Sequence, residues 1–539
     1  MDLPQITKGD FKEMSTTSIQ HSPRKSNSII NSKNGNCSNN LSLSTSIARS
    51  KHLLNIDNIN PSVKLMEYAV RGPIVTRATE LEYQIKERES GKYQFEDIIK
   101  TNIGDAHAMG QKPITFFRQV LALLSYPQLI TTDPEKCVLT FPSDVIAKAK
   151  RILNACSGHS LGSYSASAGL DIVRRDVASF ITRRDGVGDC HFGDVFLSAG
   201  ASEAIRNVLF MFKQASKDAK KTGVMIPIPQ YPLYSATLTE YDMDQVGYQL
   251  NETDNWSLQI ETLKHALERG KAQSDVRVLC VINPGNPTGQ VLSHQNMKEI
   301  IQFAYDNHLF LMCDEVYQEN IYEPGLKWKS FRKVLKEDMP AEVAKTQELA
   351  SFYSASKGYM GECGLRGGYV QFENVERAVK ELYIKMISAR LCPTTLGQAL
   401  MGCIVNPPSV DDPSGPLFYQ EKDAILKALA KRAKLTASAL NRIPGVVCNN
   451  VSGAMYAFPR ISIPANAVAL AKSKNMEPDF MFSMELLEAE GLCVVPGSGF
   501  GQQEGTYHFR MTILPPEAKM EEFLERFTRF YKNFVEKYK

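Results

Sequence analysis

The chain has 539 residues, 43% of them hydrophobic and 22% charged, which is enough to bury a core of several hundred residues and excludes a small peptide-like binder. Lys and Arg total 62 against 59 Asp and Glu, a formal charge of +3, so the chain lacks the basic excess of a nucleic-acid binder. Eleven cysteines without a CxxC pair, nine histidines without HExxH, and no apolar run approaching 18 residues argue against a disulfide scaffold, a metal centre and a membrane span. The expectation is a soluble intracellular protein with reduced thiols.

Along the chain, positions 14–50 hold 17 Ser or Asn, four Lys or Arg, and no Asp or Glu. Such a stretch cannot offset its chain entropy by burial, which predicts a disordered extension over 1–57 and a cytoplasmic protein. The same composition also fits a mitochondrial transit peptide, although Asp2, Asp10 and Glu13 speak against it. From about Asn58 helical patterns alternate with short apolar runs closed by turn residues, the mark of an α/β fold. Strands are predicted at 195–197, 224–228, 276–282, 309–313 and 368–372. A helix at 257–269 carries Ile260, Leu263 and Leu267 at helical spacing, and a parallel sheet with helical crossovers follows. After Pro413 come a long charged helix at 419–441, strands near Val446 and at 454–458, and a terminal helix from Pro516, together a smaller α+β unit.

Four segments end or follow these strands: LSAGASE at 197–203, NPGNPTG at 283–289, CDEVY at 313–317, and SASKG at 354–358 with Arg366 beyond. Ligands of open α/β sheets bind at the carboxyl ends of strands. Taken alone, Lys357 reads as an exposed loop lysine and Asp314 as a strand-end turn residue. Together they suit pyridoxal phosphate, which needs a lysine for its Schiff base and an acid to keep its ring nitrogen protonated. Tyr317 and Asn286 can bind the cofactor's phenolate oxygen, or else pack and form a turn. Gly200, Ala201 and Ser202 before a helical pattern, with Ser354 and Arg366, can hold the phosphate. Neither Gly-Lys pair continues into a P-loop, and GSG at 497–499 has Gln502 where a dinucleotide fingerprint needs glycine.

With YAVRGPI at 68–74, IPQYPLY at 228–234, INPGNPTG at 282–289, DEVYQEN at 314–320, SKGYMGECG at 356–364 and PGSGFG at 496–501, the chain resembles the fold-type I, pyridoxal-phosphate-dependent class I aminotransferases, and most closely their alanine-using branch. The likeness runs from about Tyr68 to the C terminus. It implies an α/β fold with a large cofactor-binding domain at 141–412, built on a mostly parallel sheet with flanking helices. A smaller α+β domain comes from 58–140 and 413–539. It further implies Lys357 as Schiff-base lysine and base, Asp314 as pyridinium partner, Tyr317 and Asn286 on the phenolate oxygen, and Tyr231 stacked on the ring. Ala201, Ser202, Ser354 and Arg366 then hold the phosphate, and Tyr164 reaches the phosphate of a neighbouring subunit in a homodimer with shared sites. Arg510 clamps the substrate α-carboxylate, with Gly72 and Asn286 beside it. Lys357 and Arg366 are nine residues apart where the common class I pattern has eight.

The implied reaction moves an amino group from L-alanine to 2-oxoglutarate, giving pyruvate and L-glutamate, with no metal, nucleic acid or membrane involved. For this Lys357 needs a lowered pKa, which restricted solvation and the cofactor can supply. The alternatives are a related enzyme using glyoxylate or another keto acid, and a non-catalytic regulator of the same fold.

Overall fold

The computed structural model describes residues 54–87, 93–132, 134–214 and 219–539. Of the extension expected over 1–57, residues 1–53 lie outside the described residues, and Leu54–Asp57 form a turn. The centre is a seven-stranded sheet of β1 Val195–Ser198, β2 Thr222–Ile228, β3 Asp244–Gln249, β4 Asp275–Ile282, β5 Phe310–Asp314, β6 Leu349–Ser354 and β7 Gly368–Glu373. Its spatial order is β1-β7-β6-β5-β4-β2-β3. Both faces are covered: along β4, Val278, Cys280 and Ile282 join one apolar cluster, while Leu279 and Val281 join another on the opposite side.

All neighbours in the sheet run parallel except at β7, which is antiparallel to both β1 and β6. This corrects the parallel direction expected for 368–372. A parallel return needs a long crossover, usually helical, and residues 355–367 contain only the lysine loop and one short turn at Cys363–Leu365. The sequence pattern also missed two strands. The edge strand β3, DQVGYQ, is partly exposed, and β6, LASFYS, carries small polar residues, so neither reads as an apolar run.

A smaller unit packs at the carboxyl ends of the strands. Phe509–Thr512 runs antiparallel between Tyr456–Ala457 and Val495–Pro496, while Ile99–Lys100 from the N-terminal part pairs in parallel with Leu492–Cys493. Its core is aromatic: Phe482 from helix Pro478–Glu490 lies 5.0 Å and 5.3 Å, between ring centres, from Phe534 and Phe530 of helix Glu517–Lys537. Helix Thr115–Ser125 instead shares an apolar cluster with Ser143–Ala155, Asp171–Asp185 and Thr395–Val405, on the side of the large sheet. The long helix Gly415–Leu440 joins the two, with Phe418 in that cluster and Leu429 to Leu440 in the core shared with the smaller unit. Among the described residues the ten cysteines are unpaired, no cluster suited to a metal ion occurs, and no helix is long and apolar enough to cross a membrane.

Candidate active site

A cavity of about 410 Å³ opens where the carboxyl ends of β1, β2, β4, β5 and β6 meet the smaller unit. Register brings the strand ends level: Asp314 pairs with Ile282 on one side and Phe352 on the other, while Ser354 and Ser198 both face Gly368. That volume is within the range of small-molecule sites.

After β1 the chain turns sharply into helix Ala201–Met211. Gly200 has φ +88°, and a Cβ there would lie 2.4 Å from Arg366 Nη2, so the turn requires glycine. Arg366 Nη2 donates to the Ala199 carbonyl at 3.0 Å and its Nη1 to the Cys363 carbonyl at 2.9 Å, which holds the guanidinium over the first turn of the helix. Ala201, Ser202, Ser354 and Arg366 therefore line one end of the cavity. A helix start, whose first amides have no acceptor within the helix, two hydroxyls and a guanidinium make an anion cradle.

Asp314, 4% exposed at the end of β5, accepts from the Tyr234 hydroxyl at 3.0 Å. Burial pushes its carboxyl up to about 6, against the lowering effects of Tyr234, the Val316 amide and Lys357. Beneath it, Glu315 accepts from the Phe331 amide at 2.7 Å and from the Ser351 hydroxyl, pinning β5 to its neighbours. Asn286 is held in the loop after β4. Its Nδ2 donates to Tyr317 Oη at 3.4 Å and its Oδ1 accepts from Arg510 Nη1 at 3.2 Å.

Arg510, 1% exposed on Phe509–Thr512, also donates to the Asn102 carbonyl at 2.6 Å, and its guanidinium lies 4.3 Å from the Tyr456 ring centre. Its Nε has no partner. An unmatched buried donor on a cation is costly, and a carboxylate in the cavity is the group that relieves it. Also lining the cavity, the Tyr231 and Tyr68 hydroxyls are 2.9 Å apart.

Lys357 reaches the same space from a loop fixed by two bonds, Ser356 N to Ser354 Oγ at 3.1 Å and Gly358 N to Asn320 Oδ1 at 2.9 Å. Its Nζ donates to the Gly104 carbonyl at 3.5 Å. Restricted solvation was expected to lower its pKa. In the chain alone burial does pull the amine down, but Tyr456 and Cys363 outweigh it and hold Lys357 above the ordinary lysine value.

Ten of the twelve sequence-derived candidates meet here: Lys357, Asp314, Tyr317, Ala201, Ser202, Tyr231, Asn286, Ser354, Arg366 and Arg510. Gly72 does not line the wall, which takes Tyr68, Val70 and Arg71 from that segment before Gly72 caps helix Pro73–Lys86. The glycine that does is Gly104, where a Cβ would fall 2.3 Å from Tyr456 Oη and 3.2 Å from Lys357 Nζ. Tyr164 is 72% exposed and outside this cavity. Gly104, Tyr234, Arg71 and Tyr456 were not among the candidates. Tyr234 and Arg71 lie inside quoted motifs, so their positions were visible and their contacts were not.

The family described as "Aminotransferase class I and II" matches residues 136–527. The chain belongs to the class I and II aminotransferases. "Alanine aminotransferase 2" of Xenopus laevis is 52% identical over 487 residues, 90% of this chain and 88% of that protein. "Probable alanine aminotransferase, mitochondrial" of Dictyostelium discoideum is 44% identical over 497 residues, 91% of each chain. The fold matches the solved "Alanine aminotransferase from Pyrococcus furiosus" with a TM-score of 0.67 at 24% identity, covering 88% of this chain and 99% of that one. Aminotransferases of this family depend on pyridoxal phosphate. The cavity of this aminotransferase fits that group: the anion cradle with its obligatory glycine suits a phosphate, Asp314 a ring nitrogen, and Lys357 a carbonyl.

Proposed function

We propose that this aminotransferase moves the amino group between L-alanine and 2-oxoglutarate, giving pyruvate and L-glutamate. The observation that carries the reading is the convergence in one cavity of the Lys357 amine, the Asp314 carboxylate and the Arg510 guanidinium with its free Nε. The choice of alanine follows the names of the relatives. When bound, pyridoxal phosphate supplies a carbonyl for the amine of the amino acid and an electron-poor ring for the electron pair left at its α-carbon. Lys357 anchors it, then removes the α-proton and returns a proton on the product side. Asp314 would keep the ring nitrogen protonated, and Tyr317 and Asn286 would donate to the ring oxygen. Tyr231 would pack against the ring, while Ala201, Ser202, Ser354 and Arg366 would hold the phosphate. Arg510 orients every substrate by its α-carboxylate. Exposed Tyr164 completes the site of a second copy, which makes the working unit a homodimer, and Asp2, Asp10 and Glu13 support a cytoplasmic location.

A panel of amino donors and keto acceptors on the purified, cofactor-loaded protein tests this. Alanine with 2-oxoglutarate should give the highest kcat/KM, and a preference for glyoxylate would overturn the acceptor. Arg510→Lys should lower kcat/KM for alanine and glutamate alike by about ten- to a hundredfold, because lysine keeps the charge but loses the planar pair of donors. A fall for glutamate alone would move Arg510 to the side-chain pocket. Arg71 is exposed at the wall and makes no ion pair among the described residues, so it is the cation available to a second carboxylate. Arg71→Gln should raise KM for 2-oxoglutarate and glutamate roughly tenfold while sparing alanine and pyruvate. Equal effects on all four would remove it from that role.

A further inference from the structure

The proposed reaction uses the amine, the carboxylate and the guanidinium of the cavity, but not the Tyr456 phenol. Tyr456 belongs to the smaller unit, paired with Thr512 two residues beyond Arg510. Its ring carries the Arg510 guanidinium on its face, and its hydroxyl is 3.4 Å from that of Tyr317. The same hydroxyl faces Lys357 Nζ across Gly104, whose missing side chain leaves both groups room. A phenol set between a buried guanidinium and a part-buried ammonium is the natural place for a negative charge in this cavity.

We propose that Tyr456 is the proton partner of Lys357, a positioning residue that takes a proton from the lysine ammonium and leaves the amine neutral when it acts as base. In the exchange one N–H bond of Lys357 breaks and one O–H bond forms on the Tyr456 phenolate. The pair keeps its net charge, no electrons are gained or lost, and no further reactant is required. The inference rests on the reading of Lys357 as the base. The direction of each pKa describes the resting ammonium–phenolate pair from which that proton is drawn. Burial raises Tyr456, yet Lys357 and Arg510 bring the phenol below its ordinary value. Lys357 is held above its own by Tyr456 and then Cys363, despite burial and the opposing Arg510.

The other groups facing the pair do not take this role. Tyr317 and Tyr231 are pushed well above the usual phenol range by burial. The Cys363 thiol is raised by burial and turned toward the Gly104 and Ser356 carbonyls. Asp314 faces Lys357 but is engaged by Tyr234.

The test uses the full-length protein stripped of cofactor. A small acylating reagent, acetic anhydride, is reacted across a pH series and the acetylation of Lys357 is read by peptide mass spectrometry. In Tyr456→Phe the pH midpoint for Lys357 should fall by about one unit or more, because burial then acts on the amine without its counter-charge. As the reciprocal measurement, Lys357→Met should move a phenolate absorbance near 295 nm to higher pH. An unchanged midpoint in folded Tyr456→Phe, or no displacement of the phenolate in Lys357→Met, overturns the proposal. In the loaded enzyme Tyr456→Phe should lower kcat roughly tenfold and displace its pH profile, with KM for alanine nearly unchanged. A Phe variant whose kcat profile matches the parent also overturns it. Failure of the underlying reading looks different: borohydride mapping would then label another lysine, whatever the acetylation midpoints show.

Discussion

Lys357→Ala should abolish turnover, with kcat falling by on the order of ten-thousandfold or more, since one side chain is both the covalent anchor and the proton carrier. The loss should exceed that of any other single change in the cavity. The loop around it is held through Ser356 N, Ser354 Oγ, Gly358 N and Asn320 Oδ1, none of which involves the lysine side chain, so the variant should fold and retain much of its affinity for the phosphate. Borohydride reduction of the parent enzyme followed by peptide mapping should place the cofactor-derived label on Lys357. A label elsewhere, or an alanine variant with more than a trace of turnover, removes Lys357 from the role. Added small amines should restore part of the variant's rate, because they supply the missing base without the missing tether.

Asp314→Asn should produce two effects of opposite sign. In the loaded enzyme kcat should fall on the order of a hundred- to a thousandfold, because an amide cannot sustain a positive ring nitrogen in a dry site. In the cofactor-free protein the same change should stabilise. Burial raises the Asp314 carboxyl from 3.8 to about 6. A carboxyl whose folded pKa lies above its unfolded value binds protons more tightly in the native state. Native stability is therefore greatest below the unfolded value and declines as pH rises through the window from about 4 to 6. Above it the cost is roughly 3 kcal/mol, from about two pKa units at 1.36 kcal/mol each. Asparagine removes that cost and still accepts the Tyr234 hydroxyl bond. Cofactor-free Asp314→Asn should melt a few degrees above the parent at pH 7.5 and no higher than the parent at pH 4. Its affinity for pyridoxal phosphate should gain less between pH 5 and 7.5 than that of the parent, because only the parent acquires a carboxylate in that range. A variant that melts lower at pH 7.5 and keeps the parent's pH dependence of affinity would show that Asp314 does not face the ring nitrogen.

Taken by itself, the sequence determined the chemistry of the large sheet. Ala201, Asn286 and Asp314 each end or follow an apolar run at short range, which is written in consecutive letters, whereas Ser354 and Lys357 come from the motif around them, since β6 does not read as such a run. The hydrophobic period thus located the cofactor side of the cavity, and the quoted motifs carried the class. What only the tertiary structure decided lies in long-range pairing. The direction of β7 depends on how 13 intervening residues close on themselves, and apolar runs do not encode strand direction. The packing of Thr115–Ser125 against the large sheet's helices, not with the terminal helices, depends on which apolar face meets which, and every such face in the chain is a similar mixture of Leu, Val and Phe. The substrate side of the cavity is assembled the same way. Gly104 meets Lys357 across 253 positions, and Arg510 meets Asn286 across 224. Tyr456 and Tyr234 were not singled out in the sequence, because a phenol's role is set by the groups its hydroxyl faces, here a loop lysine and a strand-end carboxylate far away in the chain. Gly72 and Gly104 are indistinguishable as letters. Pro73 starts a helix directly after the first and carries the chain out of the cavity, while the pairing of Ile99–Lys100 with Leu492–Cys493 draws the second in.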